Sequence, residues 1–342
     1  MILDILLPVG RLIVATLVGF ALFKIHVVKR LLLDPFVFLI VNIVFPLYFA
    51  HTIPSQWASG IDAGWEWMAF FFAAFAVFFV IQFALAKLLV NRVPLMRTKH
   101  PQELLVLFAM HNAGYIPIPL IAALAPPAVS VYMSFYVMAF VLSFFTVAVW
   151  IIQGAAEIRA EKGDRSTVDS PGPAGPNRAR PRFKLNAPLV GIVLGLVFAL
   201  TGVYDDLPGW VRAPFRWSSV IALDAIMVVL GAVLASIPSR GISFKREFGG
   251  LILFKMVLFP LAVLGIMALI PLRNLAPDVA AGIRLAMVLE AAVPPATNVL
   301  VITKAYGTKE QVEYAGSAIM TTYAASVVLL PVFLIVSRVV FG

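Results

Sequence analysis

Apolar residues in this chain do not alternate with polar ones; they run in blocks of roughly 20, the length a helix needs to cross a bilayer. Short clusters of charge, glycine and proline separate the blocks. The pattern predicts helical spans near 5 to 23, 35 to 53, 65 to 90, 103 to 125, 130 to 153, 187 to 203, 214 to 237, 248 to 271, 283 to 304 and 315 to 340, ten in all. The first block lacks a basic start and carries Asp4 and Arg11, so it reads as a retained span rather than a secretion signal.

Between the fifth and sixth blocks lies a stretch rich in proline, glycine and charge, 154 to 186, which cannot bury apolar surface and reads as a disordered linker. It separates a first repeat, 1 to 153, from a second, 187 to 342. Five spans is an odd number, so the second half must enter the membrane in the opposite sense to the first. The expected fold is therefore an all-α polytopic membrane protein of ten transmembrane helices, arranged as two inverted repeats of five.

Composition agrees, because 62% of the 342 residues are hydrophobic and 13% charged, where a soluble domain has about a quarter charged. With no cysteine, disulfides and thiolate chemistry are excluded. The net charge of +9 does not indicate nucleic acid, because the basic residues sort by side of the membrane. Lys24, Lys29, Arg30, Lys87, Arg92, Arg97, Lys99, seven linker residues, Arg240, Lys245, Arg246, Lys304 and Lys309 fall on one side. The other side has Arg11, Arg212, Arg216, Arg273, Arg284 and Arg338. The positive-inside rule then makes the linker cytoplasmic and puts both termini outside, in a plasma membrane. Trp57, Trp65, Trp67, Trp210 and Trp217 cluster at the outer boundary as an interfacial belt.

The fourth span holds Asn112, Gly114, Tyr115, Pro117 and Pro119; the ninth holds Glu290, Pro294, Pro295, Thr297 and Asn298. Proline removes a backbone donor and clashes with the preceding turn, so both helices are expected to open near mid-bilayer. Matched interruptions in two inverted halves point to a central transport site where helices four and nine cross. Second half-helices beginning near Ile118 and Ala296 would offer free amides and a positive dipole to an anion. Asn112, Thr297 and Asn298 would add side-chain hydrogen bonds, and Tyr115 could cover the substrate.

NAGYIPIPL in the fourth span, NAPLVGIVLGLVFALTG in the sixth, FKMVLFPL in the eighth and AAVPPATNVLVITKAYG in the ninth resemble the auxin efflux carrier family. That family includes PIN proteins and malonate-type permeases, and the chain is similar to a bacterial, inner-membrane member over essentially its whole length. The resemblance implies crossed helices four and nine, a scaffold of helices 1, 2, 6 and 7 that often forms a homodimer, and a mobile transport domain of helices 3 to 5 and 8 to 10. It implies elevator-type secondary transport of a small organic anion such as a carboxylate. Bile-acid sodium symporters share the fold, with an acidic residue and an asparagine at sodium; Glu290 and Asn112 stand at the matching places.

Charged residues inside spans are expensive and mark function or pairing. Glu290 is the first candidate for coupling to H+ or Na+, the other reading being a structural pair with Arg284 or Lys255. His111 could bind substrate or titrate, or simply pack. Lys255 could neutralise a carboxylate, or snorkel to the cytoplasmic end. Arg11 and Asp224, in the expected scaffold, suggest a pairing or interface role. Asn42 and Pro46 could bend a cavity wall. No cofactor or metal site is expected. ATP-driven pumping is disfavoured because no phosphate-binding glycine loop occurs, and catalysis because His26, His51, His100 and His111 are scattered without a zinc or triad motif. A channel or sensor on the same fold remains the competing class.

Overall fold

The computed structural model describes residues 2–25, 31–32, 35–36, 38–58, 65–152, 154–155, 187–236, 244–306 and 308–342. All but two residues of the expected 154–186 linker lie outside these. Among the described residues the regular elements are helices: α1 (Ile2–Lys24), α2 (Phe45–Ala58), α3 (Trp65–Arg92), α4 (Pro101–Ala109), α5 (Pro117–Leu124), α6 (Pro127–Ser143) and α7 (Ala187–Thr201). There follow α8 (Val203–Asp206), α9 (Gly209–Ser236), α10 (Arg246–Leu251), α11 (Phe259–Leu269), α12 (Pro277–Ala292), α13 (Asn298–Tyr306) and α14 (Lys309–Phe341). Among the described residues, five helical stretches are long and apolar enough to cross a membrane: Glu66–Arg92, Pro127–Ile152, Gly209–Ala235, Arg246–Leu269 and Lys309–Phe341. Two shorter apolar helices, Ile13–Lys24 and Val190–Thr201, accompany them.

Helix ends follow from local chemistry. α4, α5, α6 and α12 each open on proline, whose fixed φ suits the first turn and whose missing N–H would go unpaired there anyway. α14 opens on a capping box: Thr308 Oγ1 accepts from the Gln311 amide, and Gln311 Oε1 accepts from the Thr308 amide. Prolines also explain two wide turns. A π-helix, Ile40–Val44, precedes Pro46, and a second, Ile252–Leu258, precedes Pro260. Neither proline can donate to the carbonyl four residues earlier, so the winding loosens just ahead of each.

Packing is closest between α1 and α9 and between α2 and α7. Glycine makes both possible: a Cβ at Gly231 would stand 1.9 Å from the Thr16 carbonyl oxygen, and one at Gly191 would stand 2.3 Å from that of Pro46. These helices touch backbone to backbone, the way small residues join helices where lipid supplies no hydrophobic drive. Arg11 and Asp224 form an ion pair that ties α1 to α9, consistent with the pairing reading. A second set, α3, α4, α6, α10, α11, α12 and α14, packs around a core of Phe71, Phe75, Phe108, Tyr136 and Phe248. Leu200, Val220, Leu269 and Val328 point outward from their helices, in keeping with a lipid surround.

The fourth and ninth blocks do not run through. The fourth divides into α4 and α5, the ninth into α12 and α13.

Candidate functional site

At the break the two segments pair with each other. The Asn112 amide donates to Pro294 O at 2.9 Å, and the Ala296 amide donates to Met110 O at 2.9 Å. His111 and Pro295 thus face each other in an antiparallel bridge. In such a ladder the residue between the bonded ones needs no donor of its own, so Pro295 costs nothing at this place. Tandem prolines instead do their work on α12: Pro294 and Pro295 cannot accept the chain into another turn, and the helix stops at Ala292.

Pro117 and Pro119 act differently from expectation. They do not open the fourth block. The break, 110 to 116, lies before them, and both fall in the first turn of α5. Their missing N–H groups leave Ile118 as the donor of that end, so α5 offers an anion less than the expected cluster of free amides. α13 begins at Asn298; the Val299 and Leu300 amides are turned inward to Ala296 O and Thr297 O. The Asn298 amide, in the first turn, and the Thr297 amide just before it are the ones left to this end.

Asn112, Gly114, Tyr115, Ala296, Thr297 and Asn298 line one small cavity, closed by Phe45, Val137, Phe140 and Val141. It has room for about 40 Å³ of water-sized occupants, which matches one or two waters or the head of a small acid. Sites for drug-sized ligands run to about 300–1,000 Å³. Asn112 is held from two sides: Oδ1 accepts from the Tyr115 amide at 3.0 Å, and Nδ2 donates to the Tyr323 hydroxyl at 2.5 Å. The Tyr115 hydroxyl reaches Asn298 Oδ1 at 3.5 Å, spanning the two broken segments. Beyond Tyr323 lies a larger cavity of about 250 Å³, lined by Ile116, Leu120, Met227, Leu230 and Leu334 among others and almost wholly apolar.

Glu290, His111 and Lys255 are fully buried behind the crossover and do not line the cavity. Glu290 Oε2 lies 3.3 Å from His111 Nε2, and the Tyr136 hydroxyl lies 2.7 Å from the same nitrogen. Neither Glu290 oxygen completes a hydrogen bond among the described residues, so a proton or counter-charge must attend this carboxyl in so apolar a place. Lys255 Nζ donates to Gln82 Oε1 at 2.7 Å and to Phe108 O at 2.6 Å. The snorkelling reading of Lys255 is therefore wrong: the π-helical turn directs it inward. Arg284 is not the partner of Glu290 either; it donates to Ile270 O at the end of α11.

Of the substrate candidates, the structure brings Asn112, Tyr115, Thr297 and Asn298 into one lining, while Pro117, Pro119, Pro294 and Pro295 shape the backbone around it. Sequence reasoning passed over Phe45, Val137, Phe140 and Val141, and took Gly114 as part of the break without assigning it to the lining. Val137, Phe140 and Val141 share a face of α6 by their spacing, yet an apolar face inside a membrane protein carries no mark of a ligand. Tyr136, Gln82 and Tyr323 were missed too, although a polar group in the middle of an apolar helix is itself a signal.

The family model described as "Membrane transport protein" matches residues 4–334. No curated protein matches the chain. A match over nearly the full length, on a helical frame with several membrane-crossing stretches, gives the assignment: the chain is a multi-pass membrane protein of the membrane transport protein family, the auxin efflux carriers.

Proposed function

We propose that this protein is a secondary transporter that carries a small organic anion, a carboxylate, through the crossover cavity. The single observation behind this is the mutual pairing of the two broken segments beside one small cavity that Asn112, Tyr115, Thr297 and Asn298 line together. Donors outnumber fixed negative charges there, and a helix N-terminus favours an anion. The small volume favours a short acid over a steroid.

The ten spans, inverted in two halves, belong to this reading, with α1, α2, α7 and α9 as a scaffold that can dimerise and the remaining helices as an elevator. Support comes from the backbone-close packing inside the first group and from Phe45, which α2 contributes to a cavity otherwise built by the second. Loading would be coupled through Glu290 and His111, two buried groups 3.3 Å apart that a single proton can bridge. They adjoin the cavity through the backbone of the crossover itself, since His111 precedes Asn112. The membrane is the plasma membrane, with the basic linker on its cytoplasmic face.

Uptake of radiolabelled carboxylic acids into proteoliposomes tests this. Saturable flux that follows an imposed ion gradient is expected. Conductance without saturation or coupling would make the protein a channel and end the carrier reading.

A further inference from the structure

Three cations each meet a carbonyl at the C-terminal end of a helix. Arg338 bonds Leu124 O at the end of α5, Arg284 bonds Ile270 O after α11, and Lys255 bonds Phe108 O in the last turn of α4. Positive charge is favoured at such ends. The two arginines remain partly exposed, whereas Lys255 is wholly enclosed. It also stands beside the crossover, within electrostatic reach of Glu290.

Its surroundings have the make-up of a metal-cation site. Phe108 O is an unwound-end carbonyl and Gln82 Oε1 an amide oxygen, while the Glu290 carboxyl acts on Lys255 through its charge and not through a contact; half-helix C-terminal ends and open carbonyls are where carriers with broken helices hold sodium. Here two of those oxygens already accept hydrogen bonds from an ammonium group, at 2.7 and 2.6 Å. That ammonium arrives from the only fully buried basic side chain of Ile252–Leu258, a π-helical turn that turns Lys255 toward the core.

We propose that the Lys255 ammonium is the resident cation of this crossover, a tethered occupant of the place a dissociable sodium ion would take, so that carriage proceeds without sodium and the mobile coupling ion is the proton at Glu290 and His111. This rests on the crossover being the transport site. A lysine that merely capped α4 would stabilise the helix without deciding which ion the carrier follows.

The test uses the full-length protein in detergent and in proteoliposomes, comparing the wild type with Lys255→Ala in sodium, potassium and methylammonium chloride at equal ionic strength. For the wild type, equal unfolding midpoints and equal uptake in sodium and potassium are expected. For Lys255→Ala, the midpoint should fall and then rise saturably with sodium or methylammonium but not potassium, and uptake should become dependent on the added cation. Saturable stabilisation of the wild type by sodium would overturn the proposal, as would a folded variant that no cation affects. Should Lys255→Ala not fold, Lys255→Met and the wild-type comparison decide alone. If no acid is taken up at all, the carrier reading fails, and the unfolding midpoints still decide the cation.

Discussion

Truncation of Asn112 to alanine puts the crossover under direct strain, and its cost can be worked from two bonds. The side chain accepts from the Tyr115 amide at 3.0 Å and donates to the Tyr323 hydroxyl at 2.5 Å, with Asn112 itself 4% exposed. Asn112→Ala removes both, leaving the Tyr115 amide and the Tyr323 hydroxyl without these partners. An unsatisfied buried polar group costs about 1–3 kcal/mol, so the pair should cost about 2–6 kcal/mol, against a net stability of the same order in many domains. Asn112→Asp separates stability from function. Its carboxylate keeps the acceptor for the Tyr115 amide and can accept from the Tyr323 hydroxyl, which reverses its role, so the two bonds are retained at the cost of desolvating a charge. The added negative charge now faces the cavity, and affinity for a carboxylate should drop at least about tenfold, or about 1.4 kcal/mol. Denaturant unfolding in mixed micelles gives the first quantity and concentration-dependent uptake gives the second. An alanine variant within about 0.5 kcal/mol of the wild type, or an aspartate variant with unchanged affinity, would refute the geometry on which both expectations stand.

Replacing Glu290 by glutamine keeps the shape and removes the exchangeable proton beside His111, so uptake should persist in part but lose its dependence on a pH gradient, read by imposing gradients on proteoliposomes. Gly231→Ala places a methyl group 1.9 Å from the Thr16 carbonyl oxygen, which cannot move aside; separation of α1 from α9 should cost about 1–3 kcal/mol or more in unfolding experiments. Arg338→Met leaves the last carbonyl of α5 without its cation and should cost about 1–3 kcal/mol, with the uptake rate falling further than affinity if α5 moves during carriage.

Much of the frame was legible because bilayer physics leaves few options. Long apolar blocks became helices, and the two blocks carrying paired prolines and asparagines became the two that break. Register decided what could not be read. Pro294 ends a helix and Pro117 begins one, though the residue type is the same, because the outcome depends on whether the neighbouring turn lies before or after it. Of the partners weighed for Glu290, Arg284 turns to Ile270 O and Lys255 acts through its charge alone, while the neighbour in contact, His111, arrives from the other broken segment. Lys255 looked able to reach the cytoplasmic boundary by counting residues, but the wide turn ahead of Pro260 changes the direction of its side chain. Cavity walls made of valine and phenylalanine left no trace in the pattern, since every face of such a helix is apolar.

Because the chain has no cysteine, a single one placed at Asn298 reports on the cavity without background. Its rate of reaction with a small maleimide should fall several-fold in the presence of the acid that drives saturable uptake, and a cysteine at Ala324, in the apolar cavity beyond Tyr323, should react at an unchanged rate. Equal protection at both positions, or none at Asn298 while uptake saturates, would place the anion somewhere other than between the broken helices.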